Sequence, residues 1–258
     1  MGPLTNKQGN LTHNTDDICD ILQSQYLSVF TTPSTSHHIP DIRDFFTTEQ
    51  NESHILDNVN ITIQDVHLAI KQMPSNAAAG PDGLPSSMFH NCAKELSLPL
   101  CIFYKQSLTE GILPPICKSA SVIPIYKGGN KSCAANYRPI SLTPVLIKIF
   151  ERILRIAIVN FLDENNLMNN TQHGFRKGRS CISALLEVYD NIMMSFNDPN
   201  VHCTDMIYLD FAKAFDKVDH NIILHKLHSI GITGQLGIWL SAFLTKCTQY
   251  VQIPGGFV

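Results

Sequence analysis

Long apolar runs are missing from this chain of 258 residues. None approaches the ~20 consecutive apolar residues that a membrane-spanning helix needs. Residues 1–11 lack the order of a secretory leader, a basic start followed by an apolar block. The eight cysteines include no C-x-x-C pair and no histidine at zinc-site spacing. That argues against a zinc module or a disulfide framework, and predicts reduced, mostly buried thiols in a soluble intracellular protein. There is a single tryptophan, no internal repeat and no low-complexity tract. Acidic residues also run out, with no Asp or Glu from residue 220 onward.

What is present is an ordinary globular composition, 44% apolar and 16% charged, on a chain long enough to bury a real core. The net charge of −3 hides a division. Residues 1–117 carry 5 Lys/Arg against 12 Asp/Glu, residues 118–179 carry 10 against 3, and residues 180–258 carry 4 against 7. A basic middle ahead of a carboxylate-bearing segment suits a protein that handles phosphates and metals. Part of that charge also reads as a solvated helix face, since Lys148, Arg152 and Arg155 stand at helical spacing.

Taken in order, residues 1–14 are polar and expected to fray. Ile18, Ile21, Leu22, Tyr26 and Val29 predict an amphipathic helix over 16–30. Residues 31–39, with Pro33 and His37-His38, read as a linker. Thr62 is an N-cap candidate for a helix that Pro74 ends. Gly80-Pro81-Asp82-Gly83 has turn chemistry, and the helical pattern over 85–108 is expected to kink near Pro99. A strand is predicted over 120–126 and an extended segment over 136–142. A long helix should follow over 143–162, with Pro144 at its first position. Ser180 caps a further helix, helices follow near 220–230 and through Trp239, and a strand begins at Gln249.

Residues 206–219 organise the reading. Met206 to Leu209 is a short apolar run that predicts a buried strand, ending on Asp210. Asp216 follows, and Asp219 is an N-cap candidate. A buried strand-end acid is costly unless it is paired or binds metal. A turn cap is the plainer alternative for Asp210.

Four pieces in this order resemble the reverse transcriptases of non-LTR (LINE-type) retrotransposons. They are AAGPDGLP (78–85), SVIPIYKGGN with NYRPISL (121–142), QHGFRKGRS (172–180) and YLDFAKAFDKVDH (208–220). The tail over 231–251 shares the likeness. The resemblance implies RNA-directed DNA polymerisation on an RNA template and DNA primer with dNTPs, assisted by two Mg²⁺ ions. It implies that Asp210 is the first catalytic aspartate and a metal ligand, with the Phe211 carbonyl as a backbone ligand. Phe215 falls where these enzymes place the aromatic gate against a ribose 2′-OH, with core packing as the alternative. Lys127 and Arg138 match residues that grip the triphosphate; otherwise they are surface charges flanking a hairpin. Arg176, Lys177 and Arg179 match contacts to template or primer phosphates, and Asp216 matches a recurrent acid of structural role.

The implied fold is α+β, a helix-rich fingers region with an incomplete palm of the right-hand polymerase type. It would occupy residues 60–258, behind an N-terminal helical and linker segment at 1–59. The family's Tyr/Phe-x-Asp-Asp hairpin has no counterpart among residues 220–258. One carboxylate does not hold two Mg²⁺ ions, so the expectation is a fragment inactive by itself. Two rivals remain open. One is a non-catalytic nucleic-acid-binding remnant using the basic segment, and the other is an unrelated metal-dependent phosphotransferase.

Overall fold

A computed structural model describes residues 1–30, 54–197, 200, 202–253 and 256–257. The linker with Pro33 and His37-His38 lies outside the described residues. The chain divides into two compact units, one of Met1–Ile158 with Lys213–Val258 and one of Val159–Ala212.

The larger unit opens on a small antiparallel hairpin, β1 (Leu4–Thr5) and β2 (Leu11–Thr12). The expectation of a frayed start fails here. Leu4 is fully buried, and the Thr5 N–H donates to the Ser132 carbonyl at 2.8 Å. One apolar side chain and one strand-like hydrogen bond are enough to dock an otherwise polar segment. Asn14 then caps α1 (Thr15–Leu27), its side-chain oxygen accepting from the Asp16 and Asp17 amides.

Next come α2 (Ile63–Lys71), α3 (Ser86–Asn91) and α4 (Ala93–Glu110). Thr62 and Asp65 form a reciprocal capping box on α2. The predicted kink at Pro99 is not where the helix breaks. The break is at Cys92, and Pro99 sits inside α4. At Cys92 the backbone leaves helical geometry (φ −104°, ψ 24°), while its carbonyl already accepts from the Leu96 amide at 2.9 Å. Pro99 lies in the second turn of α4, where it removes a single i→i−4 bond.

β3 (Ser119–Tyr126) and β4 (Tyr137–Leu142) form an antiparallel hairpin, and α5 (Val145–Glu164) follows. α6 (Cys181–Ser195) comes next, then α7 (His220–Ser229) capped by Asp219, and α8 (Gly234–Leu244). β5 (Thr248–Ile253) pairs parallel with β3, and β6 (Gly256–Phe257) closes a sheet ordered β4-β3-β5-β6. The result is a mixed α and β fold, as expected.

Two apolar clusters hold the larger unit. In one, Leu4, Ile18, Leu22 and Tyr26 pack with Val122, Tyr137, Val251 and Ile253, so α1 and the sheet share a core. In the other, Tyr104 stacks on Phe150 at 4.4 Å, Phe150 meets Trp239 at 4.7 Å, and Trp239 stacks on Phe243 at 5.2 Å. Such aromatic pairs add about 0.5–1.5 kcal/mol each beyond their buried area.

The strand expected over Met206–Leu209 does not form. Residues 202–211 have no regular structure and are exposed, Leu209 to 89%. A strand persists only where a neighbour takes its backbone N–H and C=O groups. Among the described residues β3 to β6 pair with one another and none pairs with 206–209. The thiols are also less buried than expected. All eight cysteines are free, with Cys19, Cys101 and Cys117 buried and Cys92, Cys133, Cys181, Cys203 and Cys247 exposed. The exposed ones fall at helix ends, in loops or in the irregular segment, where no apolar face demands them. No described helix is long and apolar enough to cross a membrane.

Candidate nucleotide and nucleic-acid site

Lys127 and Arg138 come from opposite arms of the β3–β4 hairpin. Ile125 is registered against Arg138, and the Lys127 amide donates to the Asn136 carbonyl at 2.9 Å. Residues paired across an antiparallel ladder share a face, as do residues two apart along a strand. Lys127 and Arg138 are therefore diagonal neighbours on one face, together with Ile125 and Ile140, and all four are exposed. The opposite face carries Val122 and Tyr137 into the core. Burial of that face orients the two cations outward. Across the hairpin tip, the Tyr137 hydroxyl donates to the Lys131 carbonyl at 2.8 Å, and the Lys131 ammonium lies 5.7 Å from the Tyr126 ring centroid.

Phe215 is 81% exposed, so core packing does not account for it. With Asp216 and Asp219 it lines an open cavity of about 800 Å³, also walled by Lys118, Phe243 and Gln249. Lys127 and Arg138 are not among that cavity's lining residues. Asp219 is occupied as the cap of α7, accepting from the Asn221 and Ile222 amides.

In the smaller unit, Asp210 and Phe211 lie on the exposed irregular segment. A carboxylate and a backbone carbonyl are hard oxygen donors, and they fit one Mg²⁺ that keeps most of its waters. They do not make up a two-ion set. Among the described residues no group of three or more His, Cys, Asp or Glu side chains could hold a metal.

The three cations of 172–180 have different surroundings. Arg176 is only 18% exposed; its guanidinium donates to the Asn169 carbonyl at 3.0 Å and lies 3.7 Å from Asp163. Arg179 is 4.0 Å from Glu187, and Lys177 is exposed. Sequence reasoning passed over the group that anchors this loop. His173, 10% exposed, lies 2.7 Å from Glu187 through Nε2 and 2.8 Å from Ser183 Oγ through Nδ1. A carboxylate only accepts, so Nε2 carries the hydrogen. The visible signal was spacing: Ser183 and Glu187 stand at i and i+4, on one face of α6. Ser183 also completes the capping box with Ser180.

Comparison with known proteins gives these residues a context. The profile of the family described as reverse transcriptase (RNA-dependent DNA polymerase) matches residues 125–257, just over half of the chain. The chain is 26% identical over 198 residues to a probable RNA-directed DNA polymerase from transposon BS of Drosophila melanogaster, covering 76% of this chain and 22% of that protein. It is 28% identical over 196 residues to the RNA-directed DNA polymerase from mobile element jockey of the same species, covering 76% and 21%. Against the Pol polyprotein from type-1 retrotransposable element R1 of Bradysia coprophila it is 26% identical over 206 residues, covering 76% and 19%. The chain thus spans about a fifth of the length of these relatives. It belongs to the reverse transcriptase (RNA-dependent DNA polymerase) family, alongside the polymerases of non-LTR retrotransposons.

Proposed function

We propose that this chain supplies part of an RNA-directed DNA polymerase: the grip on the incoming dNTP, one metal carboxylate and a contact to the nucleic-acid backbone. The observation that carries the reading is the outward pair Lys127 and Arg138 on the β3–β4 hairpin, inside the segment the family profile matches. In this role Arg138 donates in pairs to phosphate oxygens through its planar fork, and Lys127 acts as a point charge. Phe215 crowds the sugar edge and favours dNTPs over rNTPs. Asp210, with the Phe211 carbonyl, would hold a Mg²⁺ ion, and divalent metal, which reverse transcriptases use generally, would there supply positive charge to offset that of the phosphates. Lys177 and Arg179 meet template or primer phosphates, and Arg176 shapes their loop.

A test is titration of a fluorescent dNTP into the purified chain with Mg²⁺. The reading expects saturable binding, displaced by unlabelled dNTP and weakened roughly tenfold or more by Arg138→Ala, the scale of a lost charged hydrogen bond. Absence of dNTP binding, or binding indifferent to both Lys127→Ala and Arg138→Ala, overturns it. A second reading, a nucleic-acid-binding remnant without nucleotide chemistry, is favoured by the irregular and exposed course of residues 202–211 around Asp210. RNA binding with no dNTP binding would support that alternative.

A further inference from the structure

The ion pairs among the described residues join His173 and Arg179 to Glu187 and Arg176 to Asp163. Lys148, Arg152 and Arg155 enter none of them, although they stand at i, i+4 and i+7 on one face of α5. Neutral oxygens hold the first two instead. Arg152 Nε donates to Gln72 Oε1 at 3.1 Å, and the Lys148 ammonium lies 3.5 Å from the Ala78 carbonyl. Both contacts reach the C-terminal end of α2 and the connector after it, where Lys71 donates to the His90 carbonyl at 2.9 Å. Among the described residues, these four cations on α2 and α5 have no carboxylate at ion-pair distance.

Local structure does not ask for this arrangement. Like charges at i and i+4 destabilise a helix. The helix dipole accounts for Lys71, in the last turn of α2, but Lys148 stands one turn into α5, nearer the end that favours anions. Lys148 and Arg152 are also half-buried, which raises the cost of an uncompensated charge. Glu151 feels the Lys148 charge, but burial pushes its carboxyl up to about 7, so near neutral pH it withholds much of its own. An anion from outside the chain would offset each of these costs.

We propose that the face carrying Lys71, Lys148, Arg152 and Arg155 is a second phosphate track for RNA, built from other residues than the 172–180 loop. Residues 148–155 span about 10 Å of helix axis, the rise of roughly three phosphates on one strand at about 3.4 Å each. The connector beside them, Ser75-Asn76-Ala77-Ala78-Ala79, carries no bulky side chain. It is also pinned: Ser86 Oγ donates to the Pro74 carbonyl at 2.9 Å, and Gly80 lies close against Thr143 and Pro144. A strand therefore meets cations that already hold their positions. The Gln72 bond uses Arg152 Nε, so the forked Nη donors remain for paired contact to phosphate oxygens. RNA is favoured over an acidic protein because the family profile, that of an RNA-dependent polymerase, covers α5. The proposal rests on the polymerase reading and adds a contact which that reading does not use.

The test measures binding of the whole chain to one unstructured oligoribonucleotide across a salt series, beside the same sequence on an uncharged methylphosphonate backbone. Lys148→Gln with Arg155→Gln removes two cations without touching the Arg152 bond, so the melting temperature should stay at the parent's. The slope of log K against log salt should flatten by about 1.4, at 0.7 per lost single-strand contact. On the uncharged backbone this double variant and the parent should bind equally. Lys148→Arg with Arg155→Lys should restore the parent slope, and Arg155→Gln alone should flatten it by about 0.7. Combined with Lys177→Ala and Arg179→Ala, the flattening should add to about 2.8. Unchanged affinity and slope in the double variant overturns the track, while the loop contact stands or falls on its own variant. A loss that persists equally on the uncharged backbone overturns it too. Lost binding to phosphatidylserine vesicles with RNA binding retained assigns the face to a membrane surface and overturns it as well. A parent that binds no RNA at any salt overturns both this track and the nucleic-acid contact of the loop.

Discussion

The indole N–H of Trp239 donates to Ser107 Oγ at 3.0 Å, joining α8 to α4 across 132 residues of chain. Ser107 in turn donates to the Ile112 carbonyl at 2.7 Å, just beyond the left-handed Gly111 that ends α4. Both side chains are buried. Ser107→Ala would strand a buried indole donor, which costs about 1–3 kcal/mol. Chemical denaturation followed by Trp239 fluorescence should show a lower midpoint with an unchanged slope.

Gly80→Ala should be more damaging than Gly83→Ala, although both glycines lie in one turn. A Cβ on Gly80 would sit 2.5 Å from the Thr143 carbonyl carbon and the Pro144 nitrogen, backbone atoms at the junction of β4 and α5. Overpacking of this kind typically costs about 1–3 kcal/mol. Gly83 has φ +66° and open space around it, so alanine there meets only the left-handed penalty, about 1–2 kcal/mol. Thermal melting of the two variants checks the order.

Burial pushes the Glu151 carboxyl up to about 7, with Lys148 pulling the other way. An acid whose folded pKa is raised binds more protons in the folded state. Stability therefore falls as pH rises from the ordinary carboxylate range toward 7, and the penalty is complete above that. Glu151→Gln should stabilise the protein at pH 8 by roughly 2–3 kcal/mol, a ceiling set by the conversion of pKa shift to free energy. At pH 4 it should change little. Melting curves of parent and variant across that window test the sign.

Replacing Lys177 and Arg179 with Ala should weaken RNA binding for all sequences alike. It should flatten the salt slope by about 1.4, at 0.7 per lost single-strand phosphate contact. Arg176→Ala should act differently, lowering the melting temperature through loss of Asn169 and Asp163. Asp210→Ala should leave RNA affinity intact or slightly raised. A salt titration of the three proteins against one unstructured RNA separates these outcomes.

Labelling with a thiol reagent should modify Cys92, Cys133, Cys181 and Cys203 in the native protein, and Cys19, Cys101 and Cys117 only after unfolding. Burial raises the Cys117 thiol to about 11, which further suppresses its thiolate. Rapid native modification of Cys117 would contradict the packing of the short turn before β3.

Local chemistry made much of this chain legible from its residues alone. Thr62, Ser180 and Asp219 are caps wherever they stand, because a hydroxyl or carboxylate just ahead of a helix meets free amides. The β3–β4 hairpin and the family likeness were readable for the same reason: their signals lie in consecutive residues. What the sequence left undecided depended on partners distant in the chain. Met206 to Leu209 has the composition of a buried strand, yet strand formation is decided by a neighbour's backbone, and none of the described residues provides it. Leu4 looked like part of a frayed end until β5 and α1 closed over it. The role of Gly80 depends on Thr143 and Pro144, more than sixty residues away. Only the tertiary structure anchored the 172–180 loop, because the groups that hold His173 and Arg176 lie outside the loop that carries them.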